Sequence, residues 1–331
     1  LAFKLLEYYS LWHDFLLEGF ESGVTASESI GFSLESVRGV LFCGLGGSGI
    51  VGDFTRALEY VYGSKLPLVT IKSYNLPLWS KDYITYIISY SGDTLETILC
   101  FKKALELNSR IIAVSSGGYL GREASRLGLP WVKVRSGLLP RAALPLMLGG
   151  LLGSLSKLNI MDIPEDSLLE AYNTLRNTMA DDAEPYVKVA YESDILVVGG
   201  CGVYSIVADR WRQEFSENTK MLVKSEIYPE SAHNDIVAWQ TKRSLKIGFI
   251  AIRGGDPICD NIVDIVVAKY REHGPVAELK LGMPSIAELL RGAQIGGIAS
   301  ILVAQRRSVD PEATPVIAEY KEKLKKVIDL I

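Results

Sequence analysis

An apolar strand, a glycine turn and a helix bearing Ile-Val and Asp occur twice in this chain. Residues 41–54 contain Gly44-Leu-Gly-Gly-Ser-Gly49, then Ile50, Val51 and Asp53. Residues 196–209 contain Gly199-Gly-Cys-Gly-Val-Tyr-Ser205, then Ile206, Val207 and Asp209. Matched glycine to glycine, Gly44 to Gly199, the offset is 155 residues. A second pair follows in the same order, with residues 87–93 echoed by 245–256, the latter ending in Arg253-Gly-Gly-Asp256. Self-similarity at one long period marks a duplicated supersecondary unit. The fold class expected is therefore α/β, with two tandem domains, each around a mainly parallel sheet with helices on both faces, and C-terminal helices. The turn-rich stretch 159–166 places the boundary, giving domains 1–158 and 159–331. Sites in such sheets open at the carboxyl ends of strands, where both glycine turns fall.

The chain has 331 residues, enough for two cores, and a net charge of −4. It offers no broad basic field for nucleic acid or for an anionic membrane. An anionic substrate needs a locally built site. The most apolar run, 142–155, is interrupted by Pro145 and Gly149-Gly150 and is too short to span a bilayer. The amphipathic start does not read as a signal peptide, so the expectation is a cytoplasmic protein. Cys43, Cys100, Cys201 and Cys259 are far apart and form no CxxC or metal pair, which predicts buried free thiols. Only four glutamines among many charges hint at a thermophile, where intracellular disulfides persist.

Residues 83–88 alternate as a buried strand, and 94–107 carry the spacing of a helix face. Between them lie Ser89, Ser91, Gly92 and Thr94. A small hydroxyl-rich loop entering a helix makes a phosphate cradle without a cation, from backbone N–H groups, hydroxyls and the helix dipole. The same residues also fit an ordinary capped helix, with Asp93 as N-cap and Glu96 three residues on. Both readings stand from spacing alone. Gly44–Gly49 matches the dinucleotide fingerprint, but the next strand, 67–73, ends without the acidic residue that would hold a ribose and offers Lys72 instead. A substrate-facing turn carrying Ser48 fits better.

Among three histidines, His13 and His273 have structural readings. His233 lies in Pro229-Glu-Ser-Ala-His-Asn-Asp235, where nothing structural requires it beyond a capping or surface role. Histidine is the side chain most easily poised near neutral pH. On the helix over 206–219, Val207, Trp211 and Phe215 form a core stripe, flanked by Glu214. Glu217 points roughly 120° away from it. The helix dipole disfavours a carboxylate charge there, which suits a general base, although a solvated glutamate is the plain alternative. Arg141, after Pro140 at a helix start, is either a fixed oxyanion-stabilising charge or a surface arginine.

Taken together, Gly44-Leu-Gly-Gly-Ser-Gly49, Ser89-Tyr-Ser-Gly-Asp-Thr94, Leu139-Pro-Arg-Ala142, Glu217, Ser231-Ala-His-Asn-Asp235 and Asp310-Pro-Glu-Ala-Thr-Pro315 resemble the bifunctional phosphoglucose/phosphomannose isomerases, which are built from two sugar isomerase (SIS) domains. The resemblance runs over nearly the whole chain in family order. It implies an isomerase that interconverts glucose 6-phosphate and mannose 6-phosphate with fructose 6-phosphate in central carbohydrate metabolism. It also implies roles. Gly47, Ser48, Ser89, Ser91 and Thr94 would hold the substrate, and Thr314 would face the sugar. Glu217 would move the proton between carbons 1 and 2, and Arg141 would stabilise the cis-enediolate. His233 and Lys321 would serve ring opening, with His233 reaching across a homodimer interface. Asp93 stands where many members have Asn, and Ala313 interrupts an otherwise compact Asp-Pro-Thr-Pro ending.

Such an isomerisation needs no cofactor and no metal. It needs an anion site, one base, a charge for the enediolate and an acid–base pair for the ring. The partners expected are a sugar phosphate and a second copy of the chain, with no nucleic acid and no membrane. One rival is an SIS-domain regulator, which would keep Ser48, Ser89 and Thr94 without needing Glu217, His233 and Lys321 together. Another is a different SIS sugar-phosphate isomerase.

Overall fold

The computed structural model describes residues 3–328 except 29, 33 and 243. In chain order the first half runs α1 (Lys4–Ser10), α2 (Trp12–Glu28), β1 (Gly39–Gly44), α3 (Gly46–Tyr62), β2 (Leu68–Ile71), β3 (Tyr83–Ile88), α4 (Leu95–Glu106), β4 (Arg110–Ser115), α5 (Gly118–Leu127), β5 (Trp131–Lys133) and α6 (Leu144–Lys157). The second half runs α7 (Glu165–Asn177), α8 (Glu184–Tyr191), β6 (Ile195–Cys201), α9 (Ser205–Thr219), β7 (Leu222–Tyr228), β8 (Ile247–Arg253), α10 (Pro257–Tyr270), β9 (Val276–Lys280), α11 (Ile286–Arg306) and α12 (Pro315–Ile328).

Two compact units result. The N-terminal unit takes Asp14–Ile163 and the chain from Ala313; the C-terminal unit takes Pro164–Glu312 and the chain up to His13. The expected division at 158/159 lies close to the change at Ile163/Pro164, but each unit also takes a terminal segment of the chain. The amphipathic start forms two helices, α1 and α2, that divide at Leu11.

The N-terminal sheet has strand order β2-β1-β3-β4-β5 with every pairing parallel. Parallel strands need crossover connections, and the helices that supply them cover the faces. Strand order reverses beside β1, so the loops leaving β1 and β3 diverge and open a crevice at their carboxyl ends. On one face Leu41, Cys43, Ile87, Cys100, Phe101 and Ala113 form a buried cluster. The long apolar run is explained by α6, which is buried over Leu144–Leu155. A Cβ built on Gly149 would meet the Leu16 carbonyl at 2.2 Å, and one on Gly153 the Phe20 carbonyl at 2.1 Å. Glycine at these positions lets α6 and α2 meet backbone to backbone.

The C-terminal sheet repeats the plan as β7-β6-β8-β9, again all parallel. The repeat is offset by 156 residues rather than 155. Gly44 pairs with Ile88 as Gly200 pairs with Ile252, and Gly46 (φ 54°) matches Gly202 (φ 58°). Gly199 and Gly200 are consecutive, so matching glycines by type alone slips by one. In this unit α11 has the length and apolarity of a membrane span, but 83% of its apolar window is buried, as in a core helix.

Cys201 and Cys259 form a disulfide with Cα atoms 5.7 Å apart. This corrects the expectation of four free thiols, which holds for Cys43 and Cys100 only. The bond joins the last residue of β6 to the first turn of α10, a proximity that a separation of 58 residues does not reveal.

Candidate active site

In the N-terminal unit the loops after β1 and β3 are joined by one contact. Tyr90 N donates to Ser48 Oγ at 3.0 Å. Ser48 is 7% exposed and Ser89 1%. Ser89 Oγ donates to Thr94 Oγ1 at 2.9 Å, so two hydroxyls face each other across the loop. Ser91 Oγ accepts from Asp93 N at 3.2 Å.

The capped-helix reading fails on geometry. Thr94, not Asp93, is the N-cap of α4, and no side chain caps it. The Asp93 carboxylate turns to α5 instead, accepting from Tyr119 N at 2.8 Å. The N–H groups of the first turn of α4 have no intrahelical acceptor; of the two carboxylates nearby, Asp93 is bound to α5 and Glu96 accepts from Tyr320 Oη. The turn before α3 is likewise without a side-chain cap. Two helix N-termini and the hydroxyls of Ser48, Ser89, Ser91 and Thr94 therefore converge, an arrangement suited to a phosphoryl group. Lys72 is not available to it, being ion-paired with Asp53.

Arg141 is no surface arginine. It sits in the 3-10 turn Pro140–Ala143 that precedes α6 and is 4% exposed. A Cβ on Gly47 would meet the Pro140 carbonyl oxygen at 3.3 Å and Arg141 Cα at 3.6 Å. Glycine at 47 thus lets the turn lie directly on the Arg141 backbone. Thr314 and Lys321 belong to the same unit. Thr314 starts α12, its carbonyl accepting from Ile317 N at 3.1 Å, and Lys321 is exposed on that helix. Next to Lys321, Tyr320 Oη donates to Glu96 Oε1 of α4 at 2.9 Å.

Glu217 and His233 belong to the C-terminal unit. Glu214 and Arg210, each 1% exposed, form a buried ion pair within α9. Tyr9 donates to Glu214 Oε1, and Asn218 Nδ2 to Oε2 at 2.9 Å. Glu217 is half-buried on another face of α9. Burial opposes the charge on Arg210, but Glu214, Tyr9 and Glu217 outweigh it and raise its pKa. Glu214 is thus committed to structure, and Glu217 is the less enclosed carboxylate beside the same guanidinium. His233 closes the 3-10 turn Glu230–His233 after β7, with its ring exposed.

The repeat supplies an internal control. At the 156-residue offset Ser48 becomes Tyr204, whose hydroxyl donates to the Gly282 carbonyl at 2.9 Å. The residue after β3, Ser89, becomes Arg253 at the end of β8. Its side chain is 8% exposed and pairs with Asp264 at 2.5 Å and Glu278 at 2.6 Å. The N-terminus of α10 is capped by Asp256, which accepts from Ile258 N at 2.8 Å. The helix end in the C-terminal copy of the cradle is therefore capped and its Arg253 is tied up in ion pairs beside a cavity of about 310 Å³, whereas the helix end in the N-terminal copy carries no side-chain cap.

A cavity of about 970 Å³ lies away from both turns, at the amino ends of β6 and β8. Its Arg307 guanidinium caps the end of α8, donating to the carbonyls of Ala190, Tyr191 and Ser193. Size does not make it the reactive site. Among the described residues no group of three His, Cys, Asp or Glu is placed to hold a metal.

Sequence reasoning missed the Glu226 cluster beneath the His233 loop. In Lys224-Ser-Glu226-Ile-Tyr228 the alternation of a strand puts three polar side chains on one face, which was the available signal.

A family model described as the bacterial phospho-glucose isomerase C-terminal SIS domain matches residues 180–324. The bifunctional phosphoglucose/phosphomannose isomerase of Aeropyrum pernix is 33% identical over 320 residues, covering 92% of this chain and 94% of that protein. The protein of the same description from Aquifex aeolicus is 29% identical, covering 90% and 94%. A hypothetical protein from Thermus thermophilus of known structure superposes with a TM-score of 0.77 at 13% identity, over 97% of this chain and 90% of that one, a likeness of fold.

Proposed function

The chain belongs to the bifunctional phosphoglucose/phosphomannose isomerases and is an isomerase; on that premise we propose how its residues interconvert glucose 6-phosphate and mannose 6-phosphate with fructose 6-phosphate. The single observation that carries the reading is the contrast between the two cradles. One helix N-terminus is uncapped and bordered by hydroxyls, and its repeat is capped by Asp256 and bordered by an ion-paired Arg253.

The phosphate is held by Ser48, Ser89, Ser91, Thr94 and the first-turn N–H groups of α4, with Gly47 giving the turn its close approach. Ring opening leaves an open-chain aldose or ketose. Glu217 takes the proton from the carbon beside the carbonyl and returns it to the neighbouring carbon. The intermediate is a cis-enediolate, whose charge Arg141 stabilises from a buried position where electrostatic effects are strong. One carbon is oxidised as its neighbour is reduced, so the step balances without an electron acceptor and calls for no cofactor. His233 and Lys321 exchange protons with the ring oxygen and the anomeric hydroxyl. His233 acts from the partner subunit of a homodimer, and Thr314 lines the space beside carbons 2 and 3. We place the enzyme in the cytoplasm, in glycolysis or gluconeogenesis.

The test is fructose 6-phosphate formation from each aldose phosphate by the full chain after treatment with EDTA, run in deuterated water. The expected result is turnover of both substrates with solvent deuterium at carbon 1 or 2 of recovered sugar. Turnover of neither substrate, or transfer without any exchange, would overturn the reading.

A further inference from the structure

Beneath the His233 loop lies a buried polar cluster that the proposed chemistry does not use. Glu226, on the edge strand β7, is 1% exposed. Its Oε2 accepts from Tyr228 Oη at 2.9 Å and from Tyr270 Oη on α10. Its Oε1 accepts from Lys224 Nζ at 2.9 Å. The same ammonium reaches Asp235 Oδ1 at 2.8 Å, two residues beyond His233. Lys224 holds the Asp235 carboxyl below its ordinary range. On the other side of His233, Ser231 Oγ accepts from Ile227 N at 2.9 Å. Ala232 and Ile236 pack on the apolar cluster that contains Tyr228, Trp239 and Tyr270. The residues around His233 are thus fixed on both sides, while the imidazole itself is exposed.

Stability alone does not account for this. The Lys224 side chain is 42% exposed, so its pairing with the buried Glu226 is screened by solvent and offsets little of the cost of desolvating that carboxylate. A chain of directed hydrogen bonds sets position where apolar packing sets only proximity. We propose that Glu226 is a positioning residue for His233, acting through Lys224 and Asp235 on the loop and through Tyr228 and Tyr270 on the strand and helix beneath. The proposal rests on the assignment of His233 to ring opening, and a displaced acid–base group loses much of its rate advantage.

The experiment uses the full-length enzyme in its native assembly. Turnover of glucose 6-phosphate is measured for wild type, Glu226→Gln, Tyr270→Phe, His233→Ala and the Glu226→Gln/His233→Ala double variant. Melting curves are recorded beside them. Glu226→Gln should lower kcat about tenfold with KM changed by no more than about twofold. In the His233→Ala background it should cost nothing further, because the two act as one unit. With three histidines in the chain, the His233 ring resonance can also be followed by NMR. It should shift or broaden in Glu226→Gln and in Tyr270→Phe while that of His13 stays put.

An unchanged kcat in Glu226→Gln, or the same loss with and without His233, would overturn the proposal. So would an unmoved His233 resonance. Full activity in His233→Ala would instead strike the ring-opening role, and the resonance would still decide whether Glu226 places the ring. Should Glu226→Gln not fold, Tyr270→Phe carries both measurements.

Discussion

Arg210 and Glu214, one turn apart on α9, form an ion pair almost wholly removed from solvent, and Glu217 stands three residues further on without that enclosure. The two glutamates should therefore fail differently. Glu214→Gln leaves Arg210 without its charge partner and should cost about 3–5 kcal/mol of stability. Glu217→Gln keeps shape and should leave the melting curve nearly unchanged while lowering turnover roughly 10²–10⁴-fold. Melting and kcat measured on the same two preparations decide it. A stable but inactive Glu214→Gln would reverse the assignment.

The two cradles make a paired prediction. Ser89→Ala removes a hydroxyl from the uncapped one and should lower kcat/KM about 10–100-fold, the range for one hydrogen bond to a charged group. Inhibition by inorganic phosphate should weaken in parallel. Arg253→Ala removes the cation from the capped one, leaving Asp264 and Glu278 without their shared partner. It should lower the melting temperature without changing phosphate inhibition. Phosphate inhibition that tracks Arg253 rather than Ser89 would place the anion in the wrong half of the chain.

Thr314 is half-buried at the start of α12. Glucose and mannose 6-phosphate differ at carbon 2 and meet in one cis-enediolate, so a single base serves both only if the intermediate turns about the bond between carbons 2 and 3. Thr314→Gln fills the space for that turn. The ratio of kcat/KM for mannose 6-phosphate to that for glucose 6-phosphate should fall, whereas a loss of stability would lower both together. An unchanged ratio removes Thr314 from this role.

Shared sites can be detected by mixing. Inactive His233→Ala and Glu217→Gln subunits, unfolded together and refolded, should recover roughly a quarter of wild-type activity, since half of the dimers are mixed and each carries one intact site. No recovery, or a fully active monomer in sedimentation, would show that each chain supplies its own His233.

The Cys201–Cys259 bond closes a loop with a sequence separation of 58 residues. By chain entropy such a crosslink stabilises by about 4 kcal/mol. Calorimetry with and without reductant, and of Cys201→Ser, should show the melting transition fall by several degrees. Identical transitions would mean that the bond contributes little beyond local packing.

The alternation of strands and helices was legible because the central parallel strands are short apolar runs and each long helix has an apolar face, whereas the edge strands β7 and β9 carry charged residues. The 3-10 turn at Pro140–Ala143 was not separable from α6, because 3-10 and α turns share their residue preferences. The hydroxyls of the cradle were legible as a cluster. What decided between cradle and cap was the direction of one side chain, Asp93, and direction depends on the N–H of Tyr119, which no local pattern encodes. The pairing of Arg210 with Glu214 has the spacing of an exposed helix pair, and only the burial of α9 beneath α11 makes it structural. Lys224 and Asp235 meet through the fold of a loop, beyond the reach of periodicity.

The capped cradle bears on how such a chain can change over evolutionary time. Two separate copies of one half-length polypeptide would have to carry the same residue at every matching position. A serine placed to receive an anion would then be a serine in both, and a crosslinking cysteine would appear twice. Joining the halves in one gene removes that symmetry. One half can accumulate Arg253, Asp256 and the Cys201–Cys259 bond as internal bracing, while the other keeps a helix end without a side-chain cap.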